Sequence, residues 1–133
     1  MLGEMLGETQ GKITGQRVLP VECCPKIEIS FQDAGKILGE EITEIGTYWS
    51  AVKEDGTLYG EGQGCYMTKD NEIVTWTGQG VGKFTGKGAT SWRGSLYFQT
   101  SVKKLAMLNN IGGVFEYEVD EKGNTSAKIW GWK

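Results

Sequence analysis

Two runs of alternating glycine constrain this chain more than any other feature: Gly60-Glu-Gly62-Gln-Gly64 and Gly78-Gln-Gly80-Val-Gly82. Successive side chains in a strand point to opposite faces, so each run leaves one face of its strand bare. A bare face must be covered by large side chains from neighbouring strands or left as space. A three-residue turn at Lys69–Asn71 sets Gly62 opposite Gly78, Gly60 opposite Gly80, Gly64 opposite Trp76 and Tyr66 opposite Val74. A three-residue turn at Gly86–Gly88 sets Gly82 opposite Trp92 and Trp76 opposite Phe98. Asp55-Gly56, read as a two-residue hairpin turn, sets Trp49 opposite Gly62.

The three turns agree on one division of faces. Trp49, Tyr66, Val74, Trp76, Phe84, Trp92, Leu96 and Phe98 share a face with the glycines. Tyr59, Glu61, Gln63, Cys65, Thr75, Thr77, Gln79, Arg93, Ser95, Tyr97 and Gln99 share the other. Rings over glycine fill space, and glycine lets strands coil tightly. A slip of one residue would move a whole strand to the other face.

A phosphate-binding role for TGQGVGKFTGKG fails on spacing. A P-loop needs GxxxxGK followed by Ser or Thr, between strand and helix. Gly78 to Gly82-Lys83 is one residue short and Phe84 follows; Gly82 to Gly86-Lys87 is also one short and Gly88 follows. Gly80, Gly82 and Gly86 have the wrong second gap for a dinucleotide fingerprint.

Strand patterns cover 13–21, 26–32, 36–45, 47–54, 57–68, 72–85, 89–100, 113–120 and 125–133, and 101–110 carries the helix pattern, with Leu105 and Leu108 on one side. The expected fold is all-β: an antiparallel, mostly meandering barrel of about eight strands, lipocalin-like, with one short helix near 101–110. A β-sandwich is the alternative. Residues 1–12 are expected to be a flexible segment outside a single domain spanning 13–133.

Composition narrows the function classes. The 21 glycines follow no every-third-residue repeat, which excludes collagen, and five Trp, five Tyr and four Phe supply a core. A net charge of −3 with scattered Lys and Arg argues against nucleic-acid binding. Histidine is absent, which removes Ser-His and Cys-His chemistry and the commonest metal ligand. The three cysteines, Cys23, Cys24 and Cys65, form no disulfide framework and no metal-site spacing. Reduced thiols in a cytoplasmic protein are the simpler reading. MLGEMLGETQGK lacks the apolar segment of a signal peptide, and no run reaches the roughly 20 apolar residues of a membrane helix.

The aromatic face defines the candidate site. If the glycines leave a lumen, Trp49, Tyr66, Trp76, Trp92, Leu96 and Phe98 line it, suited to a small hydrophobic ligand and needing no metal or cofactor. If they do not, the same residues are a packed core and the barrel is a structural or oligomerisation module. On the polar face, a Glu61–Arg93 pair with Tyr97 is the candidate for polarising a ligand, against the alternative of a solvated wall. Cys65 reads as an inert thiol and Cys23-Cys24, before Pro25, as a loop.

The stretch VTWTGQGVGKFTGKGATSWRGSLYFQT, followed by KLAMLNNIGGVFEYEVDEKGN, resembles the small β-barrels of the allene oxide cyclase-like group, in particular its bacterial members. The shared pattern is a strand of alternating glycine, a hairpin, an aromatic strand, a leucine-containing helical turn, a Gly-Gly strand and a last hairpin. The resemblance implies an eight-stranded, often oligomeric barrel with an internal cavity. It also implies kinship with plant cyclases that bind an unsaturated fatty-acid epoxide and cyclise it without a cofactor. No residue here matches their polar catalytic positions, so the resemblance carries fold and cavity but not activity.

Overall fold

The computed structural model of the protein describes residues 2–21 and 23–133. Eight antiparallel strands close into a barrel in chain order: β1 (Leu2–Leu19), β2 (Lys26–Ile37), β3 (Glu40–Val52), β4 (Leu58–Thr68), β5 (Ile73–Gly86), β6 (Ala89–Thr100), β7 (Gly112–Val119) and β8 (Asn124–Trp132). Closure is made by β1, which pairs with β2 on one side and β8 on the other, so no edge is left open. Residues 2–12, expected outside the barrel, belong to β1, and Gly7–Lys12 pair with both neighbours. Their inward positions are small (Gly7, Thr9, Gly11), so the hydrophobic alternation that marks a strand is missing there. Met1 of that expected segment lies outside the described residues.

Two further expectations about strands change. The segments 36–45 and 47–54 are not separate strands. β2 runs to Ile37, and a two-residue turn at Leu38-Gly39, with φ of 49° and 79°, leads into β3. Leu-Gly is a poor sequence signal for that turn; tertiary contacts hold it, with Leu38 N donating to Leu6 O at 2.7 Å and the leucine side chain packed on the core. The loop after β3 is also longer than a two-residue hairpin. Lys53 N bonds Thr57 O and Gly56 N bonds Lys53 O, so Glu54–Gly56 are all loop residues. Gly56 takes φ of 88°, and Asp55 Oδ1 accepts from Thr57 N at 2.9 Å.

That extra residue decides a register. Trp49 faces Glu61, and Tyr48 faces Gly62. The remaining pairings, Gly62 with Gly78, Gly64 with Trp76, Gly82 with Trp92 and Trp76 with Phe98, are as the turns imply. Phe84 keeps its inner-face parity but is exposed near the end of its strand.

One end of the barrel is closed by a 3₁₀ helix, Lys103–Asn110, shorter by two residues than the expected 101–110. Its Leu105 and Leu108, three apart and so eclipsed, are fully buried in a core that includes Ile37, Tyr66, Val74 and Phe98. Asn109 anchors the helix, accepting from Thr100 N at 2.8 Å and donating to Thr100 O at 2.9 Å. Toward the opposite end, Leu58, Trp92 and Tyr117 form a second cluster.

Candidate ligand cavity

The space over the glycines is mostly filled. A Cβ built on Gly64 would lie 2.6 Å from the Trp76 ring, and one on Gly82 2.7 Å from the Trp92 ring. Leu96 covers Gly78 and Phe115 covers Gly80 and Gly94. Between these caps a cavity of about 80 Å³ remains. Its wall is aromatic: Phe31 lies 5.6 Å from Tyr117 and 6.4 Å from Trp76, and Tyr48 lies 5.9 Å from Trp92, centroid to centroid.

Two acids stand in this apolar wall. Asp33 and Glu44 are directly opposite one another on β2 and β3, both 6% exposed, and both line the cavity. They belong to one row across the sheet, Thr125–Gly11–Asp33–Glu44–Tyr66. Gly11 is essential to that row. A Cβ there would collide with the Asp33 carboxylate, and without it Thr125 Oγ1 reaches past β1 to donate to Asp33 Oδ1 at 2.6 Å. Thr9 Oγ1 donates to Asp33 Oδ2 at 3.1 Å. Glu44 has no comparable pair of donors.

The two carboxyls therefore differ. Burial raises both, because desolvation penalises the charged form. For Asp33 the two threonine hydroxyls pull back down. For Glu44 burial is followed by repulsion from Asp33, and its pKa is pushed up to about 8. Of the pair, Glu44 is the better holder of a proton, and Asp33, with its two hydroxyl donors, the better place for a charge. The Trp76 indole and Thr9 act in the opposite direction on Glu44, but the indole N–H is not close and aligned enough to be hydrogen-bonded. Among the described residues Trp76 Nε1 and the Tyr117 hydroxyl make no well-formed hydrogen bond, though Glu44 lies near enough to feel the first and the Tyr48 hydroxyl the second. Tyr117 is held protonated by burial and then by its neighbour Tyr48, with both carboxyls adding to the effect.

Of the residues expected to bind a ligand, Tyr66, Trp76, Trp92 and Leu96 line the cavity. Phe98 is buried beside Tyr66, at 6.3 Å, in the core closed by the helix and not in the cavity wall. Trp49 is on the outside: Lys26 Nζ sits 4.2 Å over its ring and Tyr59 packs at 5.6 Å. Its inward place is taken by Tyr48, as the one-residue change of register requires.

The expected Glu61–Arg93 pair does not form. Glu61 is on a strand that walls the cavity, but its carboxylate is exposed and accepts from Tyr59 OH at 2.5 Å. Arg93 faces Glu116 across the β6–β7 pair and binds Glu118 at 3.1 Å. Tyr97 is exposed. Cys65 is a half-buried free thiol on the outer face, whereas Cys23 and Cys24, expected as reduced thiols, are joined by a disulfide in the bend before Pro25. That bridge links neighbours and so closes no loop between elements. Among the described residues, no group of three or more Cys, Asp or Glu side chains is placed to hold a metal ion, and no helix is long and apolar enough to cross a membrane.

Sequence reasoning missed Asp33, Glu44, Tyr48 and Tyr117. A signal for the first existed. The alternation Ile27, Ile29, Phe31 continues through Asp33, Gly35 and Ile37, and ending the strand at Gln32 hid it.

No protein-family model matches the chain, and no curated protein matches it in sequence. Solved structures share its fold. A protein of unknown function from Clostridium acetobutylicum matches with a TM-score of 0.83 at 12% identity, covering 96% of each chain. A β-barrel-like protein from Acinetobacter baumannii matches at 0.82 and 14% identity, covering all of this chain and 96% of its own. An enzyme from Penicillium herquei matches at 0.72 and 16% identity, covering 96% of this chain and 92% of its own. At these identities the likeness establishes a small closed β-barrel fold and nothing finer.

Proposed function

We propose that the barrel binds a small, mainly apolar molecule in its central cavity, without metal or cofactor. The supporting observation is the pair of buried acids Asp33 and Glu44 inside a wall of rings and glycine. A filled structural barrel has no use for carboxyls there, since burying them is costly unless they are paired or perform work. The cavity size bounds the guest. At about 80 Å³ it is roughly half the 150 Å³ engineered void that admits benzene. A guest smaller than benzene fits, and a six-membered ring or a fatty-acid chain does not unless the walls move.

A second reading rests on the same pair. Glu44 as the holder of a proton beside Asp33 as the site of charge would supply an acid and a base inside the barrel, as cofactor-free isomerisation or cyclisation requires. Membership of the allene oxide cyclase-like group belongs to this reading, supported by the closed barrel and the glycine–aromatic pattern. We extend the proposal to a cytoplasmic setting and to a homo-oligomer, for which the exposed Ile45, Met67 and Ile73 on neighbouring strands offer an apolar stripe.

Thermal melting followed by tryptophan fluorescence tests binding. Trp76 and Trp92 report from the wall. A guest at a hundredfold excess over its Kd stabilises the native state by about 2.7 kcal/mol, a rise of about 10 °C in Tm for a chain of this size. If no compact lipophile at millimolar concentration raises Tm or alters emission, the cavity is not a binding site.

A further inference from the structure

The cavity has acids in its wall and no cation of the chain to balance them. Asp33 and Glu44 stand opposite each other on β2 and β3, both 6% exposed, and both line it. No Lys or Arg is among the lining residues, and the ion pairs of the described residues all lie elsewhere. Nor is a basic side chain among the groups close enough to act on either acid. The hydroxyls of Thr9 and Thr125 steady Asp33 without neutralising it. Glu44 has less. The Thr9 hydroxyl beside it is turned to Asp33, and the Trp76 indole N–H makes no well-formed bond. Buried acids are ordinarily paired, so this pair points to a cation from outside the chain.

The rest of the wall suits such a guest. Phe31, Tyr48, Trp76, Trp92 and Tyr117 form one connected set of rings, with neighbouring centroids 5.6 to 6.4 Å apart. Aromatic rings attract a cation and also accept its apolar end. A bare metal ion fits poorly, because rings offer no oxygen ligands and, among the described residues, no group of three or more acidic or thiol side chains is placed to hold one. A guest carboxylate meets Asp33 with nothing to offset it, and an uncharged guest leaves the acids as they were. A volume of about 80 Å³, roughly half of a void that admits benzene, holds about half of benzene's non-hydrogen atoms.

From this wall we infer that the natural guest is a short alkylammonium ion, with its ammonium group toward the Asp33–Glu44 pair and its apolar end against the rings. This rests on the proposed binding role of the cavity and names its ligand class, a small apolar body carrying one positive charge. No covalent bond is made or broken in the binding step.

The test uses ethylammonium, ethanol, formate and potassium ion, all smaller than benzene. Each is titrated into the full chain at pH 9 and constant ionic strength, where ethylammonium keeps its charge and Glu44, with its pKa near 8, is ionised. Two-dimensional nitrogen–proton NMR follows the indole signals of Trp76 and Trp92 in the wall, and exposed Trp132 reports binding to the surface. Ethylammonium is expected to bind at least tenfold more tightly than the other three, moving the two wall signals and leaving Trp132 in place. Glu44→Gln keeps the shape and removes one charge. It is expected to weaken ethylammonium at least tenfold, as the loss of a hydrogen bond between charged groups does, and to leave ethanol unchanged. Equal or tighter binding of ethanol, formate or potassium at the wall signals would overturn the alkylammonium assignment while leaving the binding role standing. So would a Glu44→Gln variant that binds ethylammonium like wild type. Absence of any response at Trp76 and Trp92 to all four would instead overturn the binding role itself.

Discussion

Replacing Glu44 by Gln converts the acid pair into a stability measurement. In the folded chain its pKa is held near 8, against 4.5 for the free side chain, chiefly by burial. Between those values the folded state binds a proton that the unfolded state has lost. Stability therefore falls as pH rises through the window and is flat above it. The full shift of 3.5 units, 8 minus 4.5, corresponds to about 5 kcal/mol at 1.36 kcal/mol per unit. Relaxation and water entry reduce this in practice, so about 2–5 kcal/mol is expected. Gln keeps the shape of the protonated acid and cannot ionise. The two proteins should have similar urea midpoints at pH 5. By pH 9 the Gln variant should be the more stable by that amount, about 1–3 M in midpoint. Tryptophan emission against urea at unit pH steps reads this directly. Parallel curves for both proteins from pH 5 to 9 would mean that Glu44 ionises normally, that the cavity is wet, and that the acid–base reading has no foundation.

Two other substitutions test the packing. Gly64→Ala places a Cβ 2.6 Å from the Trp76 ring and should cost about 1–3 kcal/mol. Gly15→Ala, with nothing within 4 Å, should be neutral or stabilising by up to about 1 kcal/mol; equal losses in urea melts would refute the ring-over-glycine account. Trp49→Ala removes the Lys26 and Tyr59 contacts on the outer face and should cost about 1–2 kcal/mol. It should leave probe affinity unchanged, and a loss of binding would return Trp49 to the site.

The fold was legible wherever turn chemistry was conventional. Lys69–Asn71 set the pairing of β4 with β5; between β5 and β6 the turn is Lys87-Gly88, two residues and not the expected three, and a shift at Thr85 restores the expected register, so the glycine face followed. It was illegible where tertiary contacts hold the chain. Leu38-Gly39 turns because Leu38 is bonded to Leu6 and packed on the core, which no local pattern displays. The β3–β4 loop holds one residue more than Asp-Gly suggests, and that single residue exchanged Trp49 for Tyr48 in the barrel. The site was less legible than the fold. Of its aromatic wall, Tyr66, Trp76 and Trp92 followed from parity, whereas Phe31, Tyr48 and Tyr117 did not. Its acids did not, because a carboxyl amid strand alternation reads as the end of a strand until a closed barrel shows what surrounds it.

Two acids set opposite each other across a strand pair are destabilising once both are charged, and here they are also buried. Asp33 has a structural claim to its position, through the hydroxyls of Thr9 and Thr125. Glu44 has none of that kind. Under the proposed binding role, this asymmetry makes Asp33 the structural acid and Glu44 the working one. Glu44→Met removes the repulsion and the desolvated acid while roughly conserving volume, and leaves the Asp33 network intact. It should be neutral or stabilising by about 1–4 kcal/mol at pH 7, as replacement of buried polar groups by apolar ones of similar size often is. Asp33→Leu should destabilise, because the Thr9 and Thr125 hydroxyls lose their acceptor inside the barrel. If Glu44→Met instead costs more than about 3 kcal/mol, the acid is holding the barrel together, and its place in the cavity needs no ligand to explain it.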